Sequence, residues 1–160
     1  MSLIGIDLGT SAIKVGAYAV DGTPLAQAHR AVPGYHPEPG HSEVDVFESR
    51  DAFRSALCEV AGSPALQADP PIAISFSSSG REVFPVSADG TPLGRCLSTS
   101  DTRGDEIAAQ TASRRSAEEW QRIAGHVPRR MDPVNRALWW RATNPATVAR
   151  TRWFMNWHEY

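Results

Sequence analysis

Residues 5–14, GIDLGTSAIK, place an aspartate inside the first apolar run, break that run at Gly9, and follow it with two hydroxyl residues and Lys14. Apolar residues alternate with period two on both sides, in LIGIDLG before the break and in IKVGAYAV after it. This period is typical of β-strands, so we predict two strands joined by a turn over Gly9 to Ala12. A third run, PLAQAHRAV, follows the Asp21-Gly22 turn signal, and the three runs together predict an antiparallel meander.

The middle of the chain predicts a loop, a helix and a buried strand. Residues 33–45, PGYHPEPGHSEVD, have no regular apolar spacing and predict a loop. Asp45 and Glu48 form a capping pair for an amphipathic helix that ends at Gly62. The apolar run PIAISFS at 71–77 is short enough for a strand buried on both faces.

The second half of the chain predicts one edge strand followed by helices. The run EVFPV contains a proline, which favours an edge position. Helix signals then cover Asp105 to Ala112 and Ser116 to Ala124, the latter with Ser116 and Glu119 as a capping box and Gly125 as its stop. Asp132 and Asn144 each precede a proline, which predicts two further helix starts. The run RWFM then leads to Asn156, a predicted cap.

Composition limits the class of protein. A chain of 160 residues with 41% hydrophobic content predicts one domain over residues 1–160. It shows no membrane-spanning run and no export leader, so we expect a soluble, cytoplasmic protein. A net charge of −2 gives no reason to expect a nucleic-acid or membrane partner. Two widely separated cysteines, Cys58 and Cys96, are expected to be reduced and buried.

Three antiparallel strands, a helix, a buried strand and more helices describe an α/β fold with a mixed sheet and helices packed on it. That order is compatible with the ribonuclease-H-like fold.

The opening stretch has the chemistry of a phosphate site. Gly9 lets a ligand approach the backbone, while Thr10 and Ser11 supply hydroxyls and turn amides. Lys14 adds a positive charge, and Asp7 would repel phosphate unless a hydrated Mg²⁺ lay between them. Glycine and hydroxyl residues also occur in hairpin turns for local geometry alone, and the motif by itself leaves both interpretations open.

The sequence resembles the FGGY carbohydrate kinases, which include glycerol kinase, xylulokinase, ribulokinase and gluconokinase. The resemblance extends from GIDLGTSAIK to HPEPGHSEVD at 36–45 and to IAISFSSSGREVFPVSADGTPLGRCLSTSDTR at 72–103. It continues in DPVNRALWWRATNPATVARTRWFMNWHEY, so it covers essentially the whole chain in order. The resemblance implies the actin and hexokinase type of ribonuclease-H-like fold.

By this resemblance the protein transfers a phosphoryl group from ATP, with Mg²⁺, to a hydroxyl of a sugar or polyol. The phosphate and metal motif matches Asp7, Gly9, Thr10, Ser11 and Lys14, with Asp7 at the metal. The sugar segment matches Ser78, Ser79, Gly80 and Arg81, and Asp101 and Arg103 border the same pocket.

Two departures from the family pattern qualify this interpretation. The loop SSSGRE differs from both the xylulokinase and the glycerol kinase patterns, so the resemblance assigns no particular sugar. The family's catalytic aspartate and adenine pocket lie beyond Tyr160, so we expect residues 1–160 to be the N-terminal part of the first lobe and inactive alone.

Other interpretations stay open at this point. The chain could instead be a non-catalytic domain that binds sugar weakly or associates, as a homodimer for example, through an exposed aromatic face. His36 and His41 could hold a metal or lie in a solvated loop. The tryptophans at 139, 140, 153 and 157 could form a sugar platform or belong to the core. A hydrolase nucleophile at Ser78 or Ser79 lacks the GxSxG pattern.

Overall fold

The predicted meander is present. In the computed structural model, which describes residues 1–160, strands β1 (Ser2–Leu8), β2 (Ala12–Ala19) and β3 (Pro24–Ala31) pair in antiparallel fashion. Side chains alternate between the two faces of a strand, and the face that carries Ile4 and Ile6 of β1 and Val15 of β2 is buried. Gly22 in the second turn has a φ of 89°, which glycine adopts without steric cost.

The segment predicted as a loop contains two short strands, β4 (Gly34–Tyr35) and β5 (Glu43–Val44). Helix α1 (Val46–Ala61) follows, and the Asp45 carboxylate caps it by accepting from the amides of Phe47 and Glu48, as predicted. Its buried residues pack on β2 and β3. Helix α2 (Pro64–Ala68) occupies the connector after it, where the sequence analysis predicted no helix.

Strand β6 (Pro71–Ser78) is an edge strand, so the prediction that it is buried on both faces is wrong. The sheet order is β3-β2-β1-β6, and β6 pairs only with β1, in parallel. Its residues are exposed from Pro71 to Ser77 because α1 covers β2 and β3 instead. A continuous apolar run fits either a doubly buried strand or this uncovered one, so its composition did not distinguish them.

The contacts divide the chain into two compact units. Unit 1 comprises residues 1–34 and 44–80, and unit 2 comprises residues 35–43 and 81–160. The core of unit 1 lies between α1 and the buried sheet face.

The second segment of unit 2, residues 81–160, contains strand β7 (Phe84–Val86), followed by β8 (Cys96–Leu97), which belongs to a sheet of order β4-β5-β8. Helices α3 (Asp105–Ala112), α4 (Ala117–Ala124), α5 (Pro133–Thr143) and α6 (Pro145–Arg150) come next. The last strand, β9 (Trp153–Met155), pairs antiparallel with β7. These positions confirm the predicted helices, and the pairing places β7 in a two-stranded sheet, where every strand is an edge.

The core of unit 2 combines apolar and charged groups. Phe84, Val86 and Leu97 are almost completely buried, and so are the charged side chains of Glu82, Asp101 and Arg136. Of the two free cysteines, Cys96 is buried as predicted, whereas Cys58 on α1 is exposed, so its predicted burial is wrong. The helices include none with the length and apolar character needed to cross a bilayer.

Candidate functional site

The first candidate region is the turn between β1 and β2. The Gly9 amide donates to the Ala12 carbonyl over 3.1 Å, and the Val32 amide donates to the Ser11 carbonyl over 2.9 Å. A Cβ on Gly9 would lie 2.7 Å from the Ala12 oxygen, closer than real Cβ contacts. The turn therefore requires glycine for its own geometry.

The two hydroxyl residues of this turn face solvent. Thr10 and Ser11 are exposed, and neither hydroxyl makes a hydrogen bond within the protein. The Gly9 amide is already paired with Ala12, so it is occupied in this conformation. Among the predicted phosphate-binding groups of this turn, the two hydroxyls are therefore free and the Gly9 amide is occupied.

Asp7 and Lys14 lie opposite each other on β1 and β2. Lys14 Nζ is 3.4 Å from Asp7 Oδ2, and the side chains remain 63% and 48% exposed, respectively. An ion pair this open contributes little to stability, so either partner can exchange it for a ligand. Both residues line an open groove of about 510 Å³ on the sheet, together with Gly16, Tyr18 and His29.

The Asp7 carboxylate fits the needs of a hydrated Mg²⁺. Magnesium keeps several of its waters and takes one or two carboxylates together with phosphate oxygens. No cluster of three or more His, Cys, Asp or Glu side chains suits a metal enclosed by protein ligands. A single, half-exposed carboxylate beside the turn matches the open, water-rich type of site.

Part of the predicted sugar segment lies next to Asp7. In the parallel pairing of β1 with β6, Ser77 is opposite Asp7 and Ser78 is opposite Leu8. The Ser78 hydroxyl is buried and has no hydrogen-bond partner. Ser79 and Gly80 follow directly, at the end of unit 1. The carboxyl ends of β1 and β6 therefore bring the predicted phosphate turn and the start of the predicted sugar segment together.

The remainder of that segment belongs to unit 2. Arg81 is exposed, and its Nη1 lies 3.0 Å from the Met131 sulfur. Glu82, which follows, is buried, and its Oε2 accepts from the Trp157 indole N–H over 2.8 Å. Its Oε1 is buried without a partner. Burial raises the pKa of the Glu82 carboxyl, although the Trp157 hydrogen bond opposes this.

Asp101 and Arg103 form a tight ion pair in unit 2. The Arg103 guanidinium donates from Nε to both Asp101 oxygens, at 3.0 and 3.1 Å, and from Nη2 to Oδ2 at 2.6 Å. Arg103 Nη2 also lies 2.8 Å from Glu43 Oε1, and its guanidinium stacks 5.1 Å from the centroid of the Trp139 ring. Although burial acts to raise the pKa of the Asp101 carboxyl, hydrogen bonds from Arg103 and Ser42 lower it overall. Asp101 is fully buried, whereas Arg103 keeps 15% of its side chain exposed.

Three partners of this pair were not predicted from the sequence. The Ser42 amide donates to Asp101 Oδ2 over 2.7 Å, Glu43 pairs with Arg103, and Arg136 contacts Asp101 Oδ1 at 3.4 Å. These residues lie about sixty positions before and about thirty-five after Asp101, as the separations of 59 and 35 residues record. The local sequence pattern does not indicate pairing over such distances. Arg136 lies in helix α5, where nothing in the neighbouring residues marks it as a partner of Asp101.

Known carbohydrate kinases match this chain in sequence. The sequence profile of the FGGY family of carbohydrate kinases, N-terminal domain, matches residues 2–160. A probable L-xylulose kinase from Haemophilus influenzae is 24% identical over 157 residues, covering 98% of this chain and 32% of the relative. A xylulose kinase from Staphylococcus epidermidis is 33% identical over 101 residues, covering 63% of this chain and 20% of the relative.

Solved structures show the same fold. The crystal structure of xylulose kinase from Rhodospirillum rubrum superposes with a TM-score of 0.91 at 21% identity, covering 99% of this chain and 32% of that one. The chain thus spans about a third or less of the length of the relatives it matches. Its mixed α/β architecture is that of the sugar kinases with the actin and hexokinase type of fold. The protein belongs to the FGGY family of carbohydrate kinases, whose N-terminal domain it matches.

Proposed function

We propose that this chain supplies the phosphate-binding turn and part of the sugar site of an ATP-dependent carbohydrate kinase. The observation that carries the proposal is the turn after β1, where the Thr10 and Ser11 hydroxyls are exposed and unpaired beside Asp7. Hydroxyls and backbone amides in such a turn make a concavity that suits phosphate oxygens. In the cell we place this activity in the cytoplasm, since both cysteines are free thiols.

Each residue at the turn has a distinct task in this proposal. Thr10 and Ser11 donate to the terminal phosphates of ATP, and Gly9 keeps the backbone close to them. Lys14 leaves its weak pair with Asp7 and places its ammonium against the phosphates. Asp7 would hold a hydrated Mg²⁺, which when bound would neutralise charge on the transferring phosphoryl group.

The sugar contacts are proposed on two separate segments of the chain. Ser78, Ser79, Gly80 and Arg81 are proposed to contact the sugar or polyol, and the buried, unpaired Ser78 hydroxyl supports this. Asp101 has all its partners within the protein, so we assign it to holding Arg103, which keeps an exposed edge. The relatives' names point to a xylulose-type ketose.

Titration calorimetry with ATP and Mg²⁺ tests the phosphate half of the proposal. The wild-type chain should bind, and Asp7→Ala should weaken binding about tenfold, as expected for losing a charged contact. The matched control is Asp51→Ala, which removes an exposed carboxylate from α1 in the same unit and should bind as the wild type does. Equal affinity of wild type and Asp7→Ala, or no binding by the wild type, would contradict the assignment.

One observation favours a second candidate, a domain that associates with itself. On β6 the side chains of Ile72, Ile74 and Phe76 are 61%, 48% and 47% exposed, and no residue from Pro71 to Ser78 is charged. An uncharged apolar edge strand readily pairs with another chain. Strand β6 therefore carries exposed apolar surface, and of the tryptophans considered for an aromatic face, Trp140 is buried whereas Trp153 is 42% exposed.

Sedimentation velocity distinguishes this candidate. A self-associating wild type should become monomeric in Ile74→Lys, because the lysine charge opposes edge pairing. Ile123→Lys on α4, which alters an isoleucine of 60% exposure, should behave as the wild type does. A wild type that stays monomeric across the concentration range rejects the candidate.

A further inference from the structure

Arg136 on α5 is a fully buried cation whose guanidinium lies against one short segment. Nη1 donates to the Arg103 carbonyl over 2.9 Å, and Nη2 donates to the carbonyls of Ser98 and Asp101 over 2.9 and 3.2 Å. Nη1 also lies 3.4 Å from Asp101 Oδ1. Four acceptors on residues 98–103 thus converge on two nitrogens of one side chain.

The same segment carries the Asp101–Arg103 pair. The Asp101 carboxylate accepts from the Ser42 amide at 2.7 Å and from the Arg103 amide at 2.9 Å, in addition to the Arg103 guanidinium. The Thr102 amide donates to the Gly40 carbonyl at 2.9 Å. Residues 98, 101, 102 and 103 are therefore hydrogen-bonded to α5 or to residues 40–43, and the Arg103 guanidinium is held against Asp101.

The chemistry of the contact calls for arginine. Three carbonyls and a carboxylate need several donors in a fixed fork, which a planar guanidinium supplies and a single ammonium does not. Burying a cation is costly, and its replacement by apolar residues often stabilises a protein. A buried arginine that fixes the shape of one loop is therefore better explained by the position it imposes than by the stability it adds.

We propose that Arg136 is a positioning residue, which sets the backbone of residues 98–103 and, through Asp101, the direction of the Arg103 guanidinium towards a sugar or polyol. The part about the sugar rests on the proposed function. The part about shape does not, because it concerns only contacts within unit 2.

Nitrogen-15 NMR of the full 160-residue chain tests the shape, with the Arg103 Nε–H signal as the reporter. Its hydrogen bonds to Asp101 should protect this proton in the wild type. Both Arg136→Met and Arg136→Lys should speed its exchange about tenfold, since lysine keeps the charge but not the fork. Arg141→Met, at an exposed position on the same helix, is the matched control and should leave the exchange unchanged. Wild-type protection in Arg136→Lys would overturn the proposal.

A wild-type measurement covers the case in which Arg136 variants do not fold. The proposal requires the Arg136 Nη protons to give separate, slowly exchanging signals, because four acceptors stop the group from rotating. A freely rotating Arg136 guanidinium beside a protected Arg103 Nε–H would overturn it.

Titration with L-xylulose, and separately with glycerol, tests the sugar part. Either probe should shift the Arg103 Nε–H signal in the wild type, and Arg136→Lys should weaken that response about tenfold. An unchanged affinity in Arg136→Lys overturns the role towards the sugar. If neither probe shifts any signal of residues 98–103 in the wild type, the proposed sugar contact fails, while the exchange comparison still decides the shape.

Discussion

At the scale of single residues, Gly9 and Glu82 each lie in a restrictive environment. Gly9 has no room for a Cβ, because the Ala12 carbonyl oxygen lies 2.7 Å from where that atom would sit. Glu82 is buried with one oxygen on Trp157 and the other unpaired. The constraint on Gly9 is steric and is tested by adding a Cβ. The constraint on Glu82 is electrostatic and is tested by the pH dependence of the free energy of unfolding.

Replacing Gly9 by alanine should lower the free energy of unfolding by about 1–3 kcal/mol, because the turn must shift to relieve the contact. Gly5→Ala on the preceding strand β1 is the matched control, since a Cβ there meets nothing within 4 Å. Urea unfolding measures both variants. Equal free energies of unfolding for the two alanine variants would show that the turn accommodates a Cβ at position 9 without loss of stability.

Glu82 should make stability fall as pH rises. Its pKa is raised by burial in the folded protein, so the folded state binds the proton more tightly than the unfolded state does. The free energy of unfolding therefore decreases between the unfolded pKa and the higher folded pKa. Glu82→Gln should be more stable than the wild type at neutral pH, and the difference should vanish below the unfolded pKa, as urea unfolding from pH 4 to 8 would record.

Glu119 should give the opposite pH dependence of the free energy of unfolding, so it serves as the comparison for Glu82. Its pKa is lowered by hydrogen bonding to the Ser116 amide, so its stabilising effect exists above the unfolded pKa and is lost as pH falls through the folded pKa. Glu119→Gln should thus weaken the protein at neutral pH and not in acid. Parallel pH profiles for the two glutamine variants would contradict the assignment of Glu82.

At the scale of elements, the local sequence predicted the helix ends correctly, but it did not predict how exposed the strands are. Ser116, Glu119 and Gly125 delimit α4 as predicted, because caps act through bonds between neighbours in sequence. Asp132 precedes α5 but makes no cap bond, since its carboxylate accepts from the Arg129 amide and lies 2.9 Å from His126 Nε2. The exposure of β6 depends on which strands α1 covers, which no local pattern records.

Helix α4 should depend on its cap. It has no fully buried residue, so little tertiary packing supports it. Ser116→Ala should lower the free energy of unfolding by about 1 kcal/mol, because the Glu119 amide loses its acceptor. Ser113→Ala, which removes only a hydroxyl bond to the Gln110 carbonyl, should cost less. Calorimetry or urea unfolding compares them, and equal losses would mean that the box is not what holds the helix.

At the scale of the whole molecule, the candidate residues of each compact unit are considered separately. The phosphate turn could be predicted because β1, the turn and β2 are continuous in sequence, whereas its proximity to Ser78 depends on the parallel pairing of β1 with β6. The resemblance supplied Asp101 and Arg103, but their burial and their ties to Ser42 and Arg136 needed the folded chain. Pairings across 35 or 59 residues depend on topology, and composition does not encode them.

Substitutions in different units should act independently. The double variant Gly9→Ala with Glu82→Gln should change the free energy of unfolding by the sum of the single changes, within about 0.5 kcal/mol. Hydrogen exchange should locate the first effect in peptides of unit 1 and the second in peptides of unit 2. A clear departure from additivity would show that the two units share an energetic coupling.

The two thiols differ in exposure, so they should differ in reactivity towards alkylating reagents. Cys58 lies open on α1, whereas burial raises the pKa of the Cys96 thiol well above its usual value and keeps it from reagents. A maleimide dye will therefore label Cys58 alone under native conditions, with no engineered cysteine. Reaction at Cys96 would then report the openings of unit 2, with the rapid labelling of Cys58 as an internal reference.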